Sequence, residues 1–192
     1  MRLLLLLLAA ALPAAFAAEP IPLFDGKTLT GWTPLAEGHV VAKDGEIQIL
    51  SQGKNLWLLH DREFTDFELT VECLMPDDNY NSGIGFRCTP AGDNPKGYQC
   101  EVANQESGML YAIGSGWVWP KDAGEKKKFA EMSAGAFKPK EWNTFRIVVQ
   151  GDHIRLWLNG TLTADLHDAR FAKGHRLRRP EIIPKPAAPD YT

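Results

Sequence analysis

Hydrophobic and polar residues alternate along most of this chain with the two-residue period of β-strands. Successive side chains of a strand point to opposite faces, so this alternation predicts strands with one buried and one polar face. Short stretches rich in Val, Ile, Phe, Trp and Thr are separated by clusters of Gly, Asn, Asp and Pro, and helical spacing is rare. The pattern predicts an all-β domain built as a two-sheet jelly-roll sandwich, with a closed barrel as the structural alternative.

Two dipeptides mark tight turns between predicted strands, Asp44-Gly45 and Asn159-Gly160. Residues 114–128 are expected to form a long loop, and residues 129–136 a helical turn or an irregular segment. The alternating stretches predict strands over residues 40–43, 46–50, 55–59, 67–75, 83–88, 98–102, 109–113, 142–150, 153–158 and 161–166.

The stretch from Phe67 to Tyr111 carries most of the candidate chemistry. Three consecutive strands are predicted there as a meander whose apolar residues fill one face. The opposite face collects five polar side chains, Glu68, Glu72, Arg87, Gln99 and Glu101. Charges on one face of neighbouring strands, above a full core, predict a lined groove that suits a small-molecule carbohydrate.

The two ends of the chain differ from its middle. Arg2, the apolar run Leu3 to Leu8 and Ala15-Phe16-Ala17 have the form of a cleavable signal peptide over residues 1–17. We therefore expect a secreted or periplasmic protein with a mature start near Ala18, the alternative being an uncleaved anchor. Residues 18–175 form one expected jelly-roll domain, and the Arg- and Pro-rich residues 176–192 an irregular tail.

Composition excludes some partners. The formal net charge is −3 and no basic patch recurs, so nucleic acid is not expected. Nothing after the signal peptide is apolar enough to cross a membrane.

The three cysteines, Cys73, Cys88 and Cys100, are predicted on the core side, with a disulfide between two of them as the alternative. The sequence identifies no cofactor. A divalent metal is an alternative, although no local set of ligands in the sequence points to one.

An ordered set of short motifs resembles the 3-keto-disaccharide hydrolase family, also described as 3-keto-glucoside 1,2-lyase or 3-keto-2-hydroxy-glucal hydratase domains. The resemblance covers roughly residues 22 to 175 and implies a concanavalin A-like jelly roll. It begins with Leu23-Phe24-Asp25-Gly26-Lys27-Thr28-Leu29-Thr30-Gly31-Trp32 and continues through Asp66-Phe67-Glu68-Leu69, Asn81-Ser82-Gly83-Ile84, Phe86-Arg87, Gly97-Tyr98, Gly108-Met109-Leu110-Tyr111, Glu141-Trp142-Asn143 and Trp157-Leu158-Asn159-Gly160.

The chain departs from the family pattern in two places. After Gly97-Tyr98 the family places a carboxylate and then an amide, whereas this chain has Gln99 first and Glu101 second. Past Gly174 it lacks two further strands that family members have. We hypothesise that the tail derives from a frameshift or a truncated gene, which the other reading frames of the nucleotide sequence would reveal.

The resemblance implies cleavage of 3-keto-glycosides by elimination. A ketone at C3 acidifies the C2 proton, a base removes that proton, the aglycone leaves C1, and water can add back. Such a reaction needs a base, a group that stabilises the enolate, and an acid. We expect Glu101 as base, Arg87 at the enolate and Glu72 as a third catalytic candidate. Glu68 and Glu72 would raise the pKa of Glu101 and Arg87 would lower it. The structural alternative is a Glu–Arg pair on a solvated face.

Other polar and aromatic residues are candidates for substrate binding. Trp117 and Trp119 are predicted on one side of their segment, where they would stack on a sugar or cover the core. The remaining candidates are Asn81, Ser82, Tyr98, Gln99 and Trp157. Two other functions stay open: a non-catalytic carbohydrate-binding module, and a glucanase-type hydrolase with paired carboxylates.

Overall fold

Twelve strands and one helix form within residues 19–50, 55–76 and 81–171, the parts of the chain that the computed structural model describes. Their bounds are β1 Trp32–Pro34, β2 His39–Lys43, β3 Glu46–Leu50, β4 Leu58–His60, β5 Phe67–Leu74, β6 Asn81–Ala91, β7 Asn94–Ala103, β8 Leu110–Ala112, β9 Gly116–Trp119, α1 Ala123–Met132, β10 Trp142–Gln150, β11 His153–Leu158 and β12 Thr161–His167.

Two antiparallel sheets of four strands enclose the core. The first sheet has the order β12-β11-β10-β5, and the second sheet has the order β6-β7-β8-β9. The two short hairpin-like sheets β1-β4 and β2-β3 accompany them. Apolar side chains from both main sheets, such as Phe145, Ile147, Cys100 and Leu110, are fully buried between them. The predicted two-sheet sandwich is confirmed, and among the described residues neither main sheet closes into a barrel.

Local turn chemistry explains several strand bounds. Asp44 and Gly45 adopt φ angles of 56° and 82°, and they join β2 to β3 as the Asp-Gly signal predicts. Strands β10 and β11 have the predicted bounds, because clean alternation ends at Gly151, which has a φ of 58°. Strand pairing here is fixed by alternation and turn chemistry together.

The loop predicted over residues 114–128 is wrong, since it contains β9 and most of α1. Asp122 caps the N-terminus of the helix, and its side chain accepts from the Glu125 amide, while Glu125 Oε2 accepts from the Lys121 amide. Phe129 is the buried residue of this helix. One buried side chain gives no helical period in the sequence, which is why alternation analysis missed the element.

The predicted meander of three consecutive strands is also wrong. Strand β5 pairs with β10, in the first sheet, whereas β6 and β7 belong to the second. The chain changes sheets between Leu74 and Asn81, an interval that includes the undescribed residues 77–80. Alternation indicates which side chains share a face of one strand, but it does not identify the neighbouring strand. Glu68 and Glu72 therefore lie on the outer face of the first sheet.

A β-bulge interrupts strand β6 at Arg87. Phe86 pairs with Tyr98 and Thr89 with Lys96, so Arg87 and Cys88 together oppose Gly97. Arg87 has a φ of 49°, in the left-handed region that non-glycine residues rarely adopt. The extra residue breaks the alternation after Phe86. Cys88 consequently lies against Gly85 and Gly97 instead of in the core cluster, so its predicted core-side position is wrong.

Some sequence expectations concern residues outside the described part. The predicted signal peptide and the tail after His175 lie there. Within the described residues, no helix is long and apolar enough to cross a membrane. All three cysteines are free thiols, and Cys73 and Cys100 pack in or against the core cluster. Burial raises the pKa of the Cys73 thiol to about 11, which keeps it protonated and unreactive at neutral pH.

Candidate functional site

The carboxylate of Glu101 is the centre of the candidate site, on the outer face of the second sheet. Strand alternation places Gln99 on the same face, and antiparallel pairing brings Gly83 opposite Glu101. Asn81 Nδ2 donates to Glu101 Oε1 at 3.0 Å, and Gln99 Nε2 donates to Oε2 at 2.8 Å. Glu101 is only 4% exposed. Both carboxylate oxygens are thus held by neutral amides in a nearly closed environment.

Gly83 makes room for this arrangement. A Cβ atom at position 83 would lie 2.4 Å from both Cγ and Cδ of Gln99. The Gln99 side chain therefore lies over Gly83 of the neighbouring strand β6, and from there its amide reaches Glu101. One pair further along, Gly85 lies against the Trp57 ring, where an added Cβ would lie 3.1 Å from Cζ3. Because the two glycines have no side chains, the side chains of Gln99 and Trp57 can lie directly over the backbone on this face.

The surroundings of Glu101 favour proton uptake. Burial is the main cause that raises the pKa of this carboxyl above its ordinary value. The Gln99 hydrogen bond opposes that effect, the negative charge of Glu106 adds to it, and the Asn81 hydrogen bond again opposes it. A carboxylate of raised pKa is a stronger base, and it gains its proton nearer to neutral pH.

Glu106, whose negative charge acts on the Glu101 carboxyl, lies in the tight turn between β7 and β8. The Gly108 amide donates to the Glu101 carbonyl, and the Glu101 amide donates to the Met109 carbonyl. Ser107 Oγ accepts from the Ala103 amide at 3.0 Å. Sequence reasoning missed Glu106, because a turn residue has no periodic pattern. The one available signal was an acidic residue just before Ser107-Gly108, where the chain reverses beside Glu101.

Two aromatic rings lie next to Gln99 on the second sheet. Tyr111 pairs with Gln99, and Trp117 pairs with Tyr111. Their rings meet edge to face with centroids 5.1 Å apart. Trp119 instead packs against the core and donates its Nε1 proton to the Thr163 carbonyl at 2.9 Å. The prediction that both indoles lie on one side is wrong, because a register shift between Leu110 and Tyr111 separates them.

Arg87 and Glu72 do not meet Glu101. The side chain of Arg87 is 1% exposed, and it donates to the Thr65 carbonyl and to Asp66 Oδ1. The bulge has turned it away from the outer face of the second sheet. Glu72 lies exposed opposite Thr144 on the first sheet. The predicted convergence of these three groups is therefore wrong.

The predicted electrostatic partners of Glu101 are corrected as well. Glu68 is held by Arg146 on the outer face of the first sheet, through bonds of 2.6 and 3.0 Å. The charges of Glu68, Glu72 and Arg87 are not among the causes that shift the pKa of Glu101. Glu106 takes the place that the sequence analysis gave to Glu68 and Glu72.

Three further predicted substrate-binding residues lie elsewhere. Tyr98 is fully buried, and its hydroxyl donates to Asp168. Ser82 pairs with Val102, whose side chain is in the core, so it lies on the core side of β6. Trp157 lies on the outer face of the first sheet, with the Arg146 guanidinium 4.4 Å from its ring centroid. Of the predicted binding residues, Asn81, Gln99 and Trp117 share the face of Glu101.

A separate depression opens at the other end of β6 and β7. It has a volume of about 550 Å³ and is lined by Ala36, Glu37, Asn55, Asp93 and Asn94. A second, shallower depression adjoins it, and neither includes Glu101. Because the acids that line it, Glu37 and Asp93, are exposed to solvent, we place the candidate chemistry at the buried carboxylate of Glu101. In the described part of the chain, no group of three or more His, Cys, Asp or Glu side chains could hold a metal ion.

Known proteins resemble this chain in fold and in sequence. A candidate glycosyl hydrolase from Parabacteroides distasonis ATCC 8503 is 16% identical with a TM-score of 0.55, over 76% of this chain and 70% of that one. The carbohydrate-binding module CBM66 from Bacillus subtilis is 17% identical, also with a TM-score of 0.55, over 79% of this chain and 86% of that one. These likenesses show the jelly-roll fold.

A search of curated proteins gave no match. The model of the 3-keto-alpha-glucoside-1,2-lyase-like domain matches residues 19–187, which is most of the chain and extends past the described residues into the segment expected as a tail. The resemblance read from the motifs is confirmed. The chain therefore belongs to the 3-keto-alpha-glucoside-1,2-lyase-like domain family, a carbohydrate-related family.

Proposed function

We propose that this protein cleaves the glycosidic bond of 3-keto-glycosides by elimination, with hydration of the product giving net hydrolysis. The site is the outer face of the second sheet, with Glu101 as the base. The observation that carries the proposal is a nearly buried carboxylate that is held by two amides and has no cationic partner among the residues that the structure describes. Membership of the 3-keto-alpha-glucoside-1,2-lyase-like family supports the choice of substrate class.

In the first step Glu101 removes the proton from C2, which the neighbouring C3 ketone has made acidic. Negative charge moves to the ketone oxygen, and the bond from C1 to the aglycone breaks. Asn81 and Gln99 each use one N–H on Glu101, and the second N–H of each amide has no acceptor in the described part of the chain. These two donors replace Arg87 as the candidate groups for the enolate oxygen.

Access to the base requires a small rearrangement. With Glu101 4% exposed, a substrate reaches it only when Asn81, which is exposed, or Gln99 moves aside. The Tyr111–Trp117 pair beside Gln99 gives the sugar an apolar surface on which to stack. Enclosure by the substrate would then exclude water from the proton transfer.

The test is a comparison of a 3-keto-glucoside with its unoxidised parent. We expect the wild-type protein to cleave the keto form alone, and Glu101→Gln to lose about 100-fold or more of that activity. The matched control is Glu72→Gln, which removes an exposed carboxylate from the other sheet and should leave the rate unchanged. Equal loss in both variants, or full activity of Glu101→Gln, would contradict the assignment of the base.

A second candidate function is a non-catalytic carbohydrate-binding module. The Tyr111–Trp117 pair favours it, because aromatic stacking alone suffices to hold a sugar. Such a module would bind keto and parent sugars without turnover, and Trp117→Ala would weaken binding of both. Cleavage of the unoxidised parent would instead indicate a glucanase-type hydrolase.

We also propose that the protein acts outside the cytoplasm, after removal of residues 1–17. The charged start, the short apolar run and the small residues before Ala18 support this. Sequencing the N-terminus of the exported protein tests it: a start near Ala18 is expected, and an intact Met1 in the cytoplasmic fraction would exclude export.

A further inference from the structure

Trp57 lies beside Gln99, on the side opposite Tyr111 and Trp117. Strand pairing places four residues of the second sheet in one row: Gly85 on β6, Gln99 on β7, Tyr111 on β8 and Trp117 on β9. The Trp57 ring lies over Gly85, the position of this row that has no side chain. Since neighbouring strands are about 4.8 Å apart, Gly85 and Tyr111 lie about 10 Å apart across Gln99. Gln99 therefore has aromatic groups on both sides.

Contacts with three other segments fix the position of the Trp57 indole. Its Nε1 donates to Asn94 Oδ1 at 3.3 Å, and its carbonyl accepts from the Leu35 amide at 2.9 Å. An added Cβ at Gly85 would lie 3.1 Å from Cζ3, so the ring lies directly over the β6 backbone. Asn55 Nδ2 also donates to Asn94 Oδ1 at 3.3 Å, which holds the Asn94 amide. The place of the ring on this face is thus defined by its supporting contacts.

Trp57 differs from most of the other tryptophans in what surrounds its ring. Trp32 meets the His60 ring edge to face with centroids 4.8 Å apart, and Trp157 has the Arg146 guanidinium 4.4 Å from its centroid. Trp57 is half-buried, and no aromatic ring or cation within residues 19–50, 55–76 and 81–171 packs against it in this way. A positioned indole whose ring lacks such a partner can receive the apolar face of a ligand.

We propose that Trp57 forms the aglycone side of the candidate site, and that it selects glycosides whose aglycone is a ring with an apolar face. The inference rests on the proposed function. A glycoside has the sugar on one side of the C1–O bond and the aglycone on the other. With the 3-keto sugar on the Tyr111–Trp117 pair, the aglycone extends across Gln99 to Trp57. A short alkyl aglycone ends before it reaches the indole.

Two kinds of aglycone have the chemistry that this subsite recognises, a second sugar and an aryl group. Both are rings with an apolar face that can stack on an indole. The amides of Asn94 and Asn55 are exposed beside the ring, and amide groups suit the hydroxyls of a sugar. An aryl group needs the ring of Trp57 alone. Substrates with each kind of aglycone therefore distinguish the two.

The test compares 3-keto-glucosides whose aglycone is methanol, phenol or glucose. We expect Trp57→Ala to raise KM about tenfold for the phenyl and glucosyl substrates and to leave that of the methyl substrate within about twofold. The kcat values should not change, because the indole contacts the aglycone and not the reacting atoms. Trp57→Phe keeps a ring and should recover most of the loss. Trp142→Ala, which removes a 46% exposed indole from the first sheet, is the matched control and should leave all rates unchanged.

The pattern across the substrates decides the outcome. A loss on the glucosyl substrate alone identifies a sugar as the preferred aglycone, and a loss on the phenyl substrate alone identifies an aryl group. The inference is overturned if Trp57→Ala slows the methyl substrate as much as the other two, because the indole then supports the site as a whole. It is also overturned if Trp57→Ala matches Trp142→Ala on every substrate.

Binding of unoxidised glucosides separates this inference from the proposed function. In NMR titrations, the wild-type protein should bind phenyl glucoside or a glucose disaccharide more tightly than methyl glucoside, and Trp57→Ala should remove that difference. If the wild-type protein cleaves no 3-keto-glucoside but shows this difference, the proposed function falls and the ring-binding role of Trp57 stands. If it cleaves 3-keto-glucosides and Trp57→Ala changes neither KM nor binding of the ring-bearing compounds, the role of Trp57 falls and the proposed function stands.

Discussion

The two outer faces of the sandwich carry similar residue types but differ in how their charged side chains are partnered. On the first sheet, Glu68 forms two bonds to Arg146, and the Arg146 guanidinium lies over the Trp157 ring. His153 pairs with Asp165 on the same face. On the second sheet, Glu101 is held by two amides, and no cation lies beside it within residues 19–50, 55–76 and 81–171. Glu68 on the first face is thus paired with a cation, whereas the buried Glu101 on the second face is held by neutral amides alone among the described residues.

The pKa shifts express the same contrast. The Arg146 hydrogen bond lowers the pKa of Glu68, whereas burial raises that of Glu101. A paired and exposed carboxylate is a weak base in contact with water, while a buried one without a counter-charge binds a proton more readily. The comparison teaches that the presence of charged residues on a sheet does not locate the chemistry. Burial of a carboxylate without a compensating cation does.

The largest expected effect is on the pH dependence of turnover. Glu101 must be ionised to act as base, so kcat/KM should fall about tenfold per pH unit below its folded pKa. Since that pKa is raised, the acid limb should lie above the ordinary glutamate value. Initial rates of 3-keto-glucoside cleavage between roughly pH 4 and pH 8 measure the position of this acid limb.

The first sheet supplies the control for this profile. Glu68→Gln and Glu72→Gln remove carboxylates of the same type from the other face, and neither should move the acid limb. A limb that shifts in either variant would mean that the two faces are electrostatically coupled, and it would break the comparison.

The next effect concerns Gly83, which has no counterpart on the first sheet. In Gly83→Ala the new methyl group would overlap Gln99, so Gln99 must leave Glu101. Loss of that hydrogen bond should raise the pKa of Glu101 further. Loss of the Gln99 donor from the enolate oxygen should lower kcat/KM about tenfold, equal to about 1.4 kcal/mol. Rate profiles of Gly83→Ala, Gln99→Ala and the double variant measure the coupling. Additive losses in the double variant would show that Gly83 does not act through Gln99.

Strong local patterns allowed much of the fold to be predicted. The bounds of β10 and β11 follow from alternation that ends at a glycine with positive φ. The placement of β5 could not be predicted, because its partner β10 lies about seventy residues away and any strand with one apolar face would fit. Helix α1 was missed because Phe129 alone gives no period.

The candidate site was predicted where the strand is regular and missed where it is not. Gln99 and Glu101 share a face because nothing interrupts β7 between them. Arg87 was misplaced because a bulge adds one residue to β6, and Glu106 was overlooked because it lies in a turn. A bulge depends on the φ of one residue and on contacts with Asp66, which is distant in sequence. The alternation of apolar and polar residues carries information on neither the backbone angle nor the distant contact.

A smaller effect is expected on stability when Glu101 is neutralised. Its folded pKa is raised, so this group favours the folded state below its unfolded pKa, and that contribution is lost as the pH rises through the folded pKa. Glu101→Gln should therefore raise Tm at pH 8 by a few degrees, at about 2–4 °C per kcal/mol, and the gain should shrink toward pH 4. Calorimetry of both proteins across this range measures it. A lower Tm at pH 8 would mean that the carboxylate is compensated after all.

The smallest effect should come from the compensated face. Glu68→Gln breaks the pair with Arg146, whose side chain is 42% exposed. Water and salt screen such a pair, and exposed pairs contribute about 0.2–1 kcal/mol. We expect a loss in this range at low salt, smaller still at about 1 M salt, and no change in turnover. Urea unfolding of Glu68→Gln and wild type at two salt concentrations measures it. A loss well above 1 kcal/mol, insensitive to salt, would mean that this pair acts as a buried one, and the distinction between the two faces would then rest on geometry and not on solvent access.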